Sequence, residues 1–130
     1  MKQITLMEKY PVFTLFIDKN ETSYKNVDEI IEFLKKKIED DPVAVNIAVF
    51  DHYSHTKSLP KGEVNPSIKA AKDLVFCFGA QLKEAKVLAV RPRSFGVAEL
   101  EESFEIAFLE APNPMANEKM EAWAKEVKNR

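Results

Sequence analysis

Both histidines of this chain fall in one short stretch, Asp51-His52-Tyr53-Ser54-His55, directly after an apolar run. Histidine is the usual metal ligand and the usual acid–base group near neutral pH. If this stretch made one helical turn, His52 and His55 would point the same way with Asp51 alongside. Two imidazoles and a carboxylate could then hold a catalytic zinc with one position open, although the pattern does not specify which metal, if any, is bound. Asp51, His52 and His55 are therefore the candidate catalytic group, with Tyr53 a candidate ligand contact beside them. The plainer reading is a polar loop tip whose histidines hydrogen-bond locally, since a motif without its context is only a hypothesis.

Arg91-Pro92-Arg93 supplies two fixed positive charges suited to gripping a carboxylate or phosphate on a ligand. The favoured reading pairs them with the acidic residues Glu99, Glu101 and Glu102 just downstream, since exposed ion pairs are common and often energetically trivial. An arginine facing inward from a strand would instead need a partner, and an anionic ligand would serve. Met120 and Trp123, on one helical stripe, are candidate lid residues over an apolar pocket, although such a stripe is more often core. Cys77, flanked by Phe76 and Phe78, reads as a small buried hydrophobe and not as a nucleophile.

Several activities are excluded. Gly62, Gly79 and Gly96 stand 17 residues apart, too far for a dinucleotide fingerprint or a phosphate loop, which need clustered glycines. The same spacing removes the nucleophile elbow of hydrolases. A lone cysteine excludes redox pairs and cysteine-rich zinc or iron–sulfur sites within one chain. No cofactor is called for. The formal net charge of −2 gives no basic field for nucleic acid or anionic membrane. Lys2, Glu8 and Lys9 interrupt any secretory core near the start, and no apolar run is long enough for a spanning helix. The expectation is one cytoplasmic α+β domain over residues 1–130.

The elements that would position these residues follow from periodicity. Val12–Asp18 alternates as a strand, with Lys19–Lys25 a polar loop after it. Asn26 caps a helix with Glu29 completing a capping box, and Val27, Ile30, Ile31, Leu34 and Ile38 make its apolar stripe. Asp40-Asp41-Pro42 ends that helix. Val43–Asp51 is a second strand, followed by a loop over His52–Val64 and about two helical turns opened by Asn65-Pro66. Leu74–Phe78, Val87–Arg91 and Phe104–Leu109 are further strands, with a tight turn at Ser94-Phe95-Gly96. Asn113-Pro114 opens a last helix. The order is β-α-β-β-β-β-α: a two-layer sandwich with a mainly antiparallel sheet of about five strands and two long helices on one face.

That order resembles the repeat of TATA-binding protein and a group of small uncharacterised bacterial proteins. In the bacterial group a Val-Asp pair heads the helix, an Asp-His step ends a strand, a Phe-Gly step closes the next, and a late Asn-Pro step follows the last. Here these would be Val27-Asp28, Asp51-His52, Phe78-Gly79 and Asn113-Pro114, within about Asn26 to Asn117. The resemblance implies the fold and a tendency to form dimers; it brings no catalytic residues, and the DNA-binding role does not transfer to a chain that lacks the basic sheet surface that role demands.

Val43–Phe50 and Leu74–Phe78 read as apolar on both faces. Helices on one side would leave a second apolar face for another copy of the chain or for a small apolar or anionic ligand. A homodimeric binding or interaction module is therefore the expected function. The alternative is a small enzyme using Asp51, His52 and His55 on an anionic substrate.

Overall fold

The first long helix, α1 (Val27–Glu39), forms where apolar residues recur every three to four positions. Asn26 caps it, its side chain accepting the Glu29 N–H at 2.9 Å. The expected capping box is only half made: the Glu29 carboxylate accepts the N–H of Lys25 at 3.3 Å, not that of Asn26. Val27, Ile30, Ile31, Leu34 and Ile38 are all buried, each contributing roughly 1.5–3 kcal/mol of transfer free energy.

The computed structural model describes residues 1–130. Its strands are β1 (Lys2–Leu6), β2 (Tyr10–Asp18), β3 (Ala44–Phe50), β4 (Ala70–Phe78), β5 (Arg93–Glu99) and β6 (Ser103–Leu109). They form one sheet in the order β1-β2-β6-β5-β4-β3, every neighbouring pair antiparallel. A short helix, α2 (His52–Ser58), follows β3, and α3 (Pro114–Glu126) closes the fold. Helix α1 spans from β2 to β3 at the far edge, four antiparallel steps away, so those two strands run the same way.

Alternation along each strand sorts the two faces. Phe13, Leu15 and Ile17 of β2 stand opposite Phe108, Ile106 and Phe104 of β6. Phe95 and Val97 of β5, with Leu74 and Phe76 of β4, extend this inner face. Helices α1 and α3 cover it, giving two layers with one aromatic-rich core. Phe76 stacks on Phe95 at 5.3 Å, and Phe95 meets Phe108 edge-on at 5.6 Å.

The structure corrects several expectations. There are six strands, not five, because Lys2–Leu6 pairs with β2 although all five of its residues are exposed. Val87–Arg91 is not a strand: Ala85–Val90 is a 3₁₀ helix with Leu88 in solvent. The missing strand is β5, running through the expected turn at Ser94-Phe95-Gly96. The expected loop at His52 is α2, while Asn65-Pro66 opens only a turn, in which Asn65 accepts the Ser67 N–H. No helix is long and apolar enough to cross a membrane.

Candidate functional site

Asp51 starts α2, its side chain accepting the Ser54 N–H at 2.9 Å. That hydrogen bond holds its carboxyl below the usual range. Asp51 is thus a helix cap, turned to the backbone and not to the imidazoles. His52 has a different carboxylate partner: its Nδ1 lies 2.9 Å from Oδ2 of Asp73 on β4. Register makes this contact, because Phe50, at the end of β3, pairs with Asp73. The Phe50 ring meets both imidazoles, with centroids 5.4 Å from His52 and 5.4 Å from His55. The helical turn does bring the two histidines to one side, but around an aromatic ring. No group of three histidine, cysteine and acidic side chains is placed to hold a metal ion.

Nδ1 facing a carboxylate is placed to donate to it, and in the neutral ring that arrangement leaves the lone pair on Nε2, the tautomer of a general base. The cleft beside it, about 240 Å³, is floored by small residues of the outer sheet face, Gly96, Ala98 and Ala107, with Asp73 and Glu105 on its walls. Glu105 accepts the Thr14 hydroxyl at 2.7 Å. A second cleft of about 310 Å³ lies behind α2, between His52, Tyr53 and Asn65. The Tyr53 ring carries the Lys57 ammonium at 5.8 Å. Cys77 is half-buried and four residues along β4 from Asp73, roughly 13 Å at strand rise, so it forms no thiol–imidazole pair.

The two arginines sit on the helix side of the sheet, at the other end of β4. Arg93 points inward from β5 and is only 8% exposed. Its two Nη atoms donate to the carbonyls of Val90 and Leu109, and its Nε is buried without a partner. Burial pushes the guanidinium below its ordinary value, though an arginine keeps its charge at neutral pH. Arg91 donates to the Gln81 carbonyl at 2.8 Å. It lies over Gly79, where a Cβ would come within 3.1 Å of Nη2 and where φ is +106°.

The expected pairing of these arginines with Glu99, Glu101 and Glu102 does not occur. Glu99 is bound to Lys19 at 2.8 Å and Glu101 to Lys69 at 3.4 Å, because β5 carries that acidic end away from Arg91. Between the arginines and the start of α3 lies a cavity of about 110 Å³, lined also by Phe78, Val90, Ala111 and Asn113. Met120 is fully buried in the core, and Trp123 stacks on Phe78 at 5.4 Å.

The chain belongs to the family of unknown function DUF6858, which matches it over residues 1–129. No curated protein and no solved structure matches the chain.

Proposed function

We propose that this member of the family is a homodimeric interaction module whose copies meet through the outer face of the sheet. The observation that carries this reading is a broad, largely open face rich in large apolar side chains. Ile4, Leu6, Tyr10, Phe16 and Leu109 stand exposed on its β1-β2-β6 half, and Val45, Ile47 and Phe50 on its β3 edge. Between them runs a trough of small residues, Ala71, Gly96, Ala98 and Ala107. A two-fold axis sets the ridge of one copy into the trough of the other, as an isologous contact requires. Six strands spaced by about 4.8 Å and roughly 20 Å long project to about 500 Å². Side-chain relief raises that toward the roughly 800 Å² per partner of a stable interface. The polar groups of the trough already have partners, His52 for Asp73 and Thr14 for Glu105, which lowers the cost of covering them.

Sedimentation at micromolar concentration tests this. A dimer with loss of solvent access across Phe16 and Ile47 is expected; a clean monomer overturns it. The free thiol of Cys77 supports a reducing, cytoplasmic setting. The architecture is also inferred to resemble the repeat of TATA-binding protein; in support, the chain without β1 and α2 runs β-α-β-β-β-β-α.

The His52–Asp73 contact favours a second reading, a small enzyme with His52 as general base oriented by Asp73. Cleavage of an activated ester such as p-nitrophenyl acetate by the native chain and by His52→Ala tests it. Equal rates count against catalysis.

A further inference from the structure

We propose that the cavity between Arg91, Arg93 and the start of α3 binds a small carboxylate carrying a short apolar tail. The enclosed charge is the starting point. A guanidinium has five N–H donors, and Arg93 spends two on carbonyl oxygens while its buried Nε has none. A buried cation without an anionic partner is costly, yet the cavity lining contains no acidic residue. Arg91 brings a second positive charge to the same wall, held by the Gln81 carbonyl. Gly79 makes room for it, since any Cβ there would press on the guanidinium.

The start of α3 adds to this field. Its N–H groups are occupied, Met115 by the Asn113 side chain and Ala116 by the Asn113 carbonyl. Its contribution is therefore the positive end of the helix dipole, with Asn113 itself part of the cavity lining. The remaining walls, Phe78, Val87, Val90, Ala111 and Ala116, are apolar, which selects a tail rather than a fully hydrated anion. A volume of about 110 Å³ equals roughly four waters at about 30 Å³ each, room for a carboxylate with a few carbons. A carboxylate presents only two oxygens, so it leaves fewer anionic atoms against the apolar walls than a phosphate would. This site lies on the helix side of the sheet and stays open whether or not the outer face is paired, so the two proposals stand or fall separately.

The test is a two-dimensional amide NMR titration of the intact chain with sodium butyrate, inorganic phosphate and butan-1-ol. Saturable shifts with butyrate are expected at the amides of Gly79, Arg91, Arg93, Ala111, Asn113, Met115 and Ala116, with phosphate and the neutral alcohol binding at least tenfold more weakly. Arg91→Gln, which leaves the core untouched, is expected to weaken butyrate about tenfold or more, the loss of one charge-assisted contact. Absence of saturable butyrate shifts overturns the proposal. So does phosphate or butanol binding as tightly as butyrate, or Arg91→Gln binding as tightly as the native chain.

Discussion

Phe16→Lys is the sharpest perturbation of the proposed dimer. Phe16 stands on the outer face of β2 opposite Glu105 and is 57% exposed. A phenylalanine offers roughly 200 Å² of surface, so about 115 Å² of each copy is open to be covered by a partner. At about 25 cal/mol per Å² this is about 3 kcal/mol per copy and about 6 kcal/mol per dimer. The aliphatic stem of lysine recovers a share of that, leaving about 4 kcal/mol, or roughly a thousandfold in dissociation constant. The isolated subunit should barely notice. Phe16 is outside the core, and lysine opposite Glu105 adds a cross-strand ion pair, so folding stability should stay within about 0.5 kcal/mol. Sedimentation velocity across the micromolar range, beside urea unfolding, reads both quantities. A variant that sediments as the native dimer, or that loses dimerisation only because it unfolds, refutes the reasoning.

Asp41 accepts from Lys119 at 2.6 Å and from the Val43 N–H at 2.9 Å. Burial pushes its carboxyl up, but the Lys119 ammonium and the Val43 N–H outweigh it and hold it below the ordinary 3.8. The folded carboxyl therefore titrates lower than the unfolded one, so its stabilisation is present above pH 3.8 and fades as pH falls further. Asp41→Asn should cost about 1–2 kcal/mol at neutral pH, discounted because Lys119 reaches solvent. Urea titrations should show the gap from native closing in acid; a gap independent of pH contradicts the assignment. Gly79→Ala should lower stability by about 1–3 kcal/mol, since it imposes positive φ on a side chain and crowds Arg91. Thermal unfolding without a shift would show that the loop yields freely. Asp73→Asn should release the His52 ring from its Nδ1–H tautomer, visible in nitrogen-15 imidazole spectra; unchanged spectra would mean that Asp73 does not orient the ring.

The helices were legible because their signals are local. Asn26 and Asn113 stand where caps belong, and Ile30, Leu34 and Ile38 keep a helical period. The fifth strand was hidden by its own inward residues. Arg93, Phe95 and Val97 alternate correctly, but an arginine at the first core-facing position and Ser94 and Gly96 facing outward read as a turn. The run Val87–Arg91 has strand-like composition, yet it pairs with no strand and lies mostly in a 3₁₀ helix instead. Helix α2 has no apolar stripe and rests on the Asp51 cap and the Asn65–Ala71 segment behind it. Asp73 could not be paired with His52 from sequence, because only the antiparallel register opposing Phe50 brings them together. Arg93 shows the same limit: its type announced anion chemistry, and its burial could be seen only once β5 was in place.

Strand β3 is an outer border of the sheet, and its ladder with β4 slips between Asn46 and Ala48, leaving Ile47 as an inserted residue. A border studded with Val45, Ile47 and Val49 would otherwise invite neighbouring molecules to zip on, end over end, into a filament. The inserted residue bends and twists that border, so an approaching strand meets a row of backbone groups broken at Ile47. Deleting Ile47 would straighten the rim and remove that barrier to edge-on pairing.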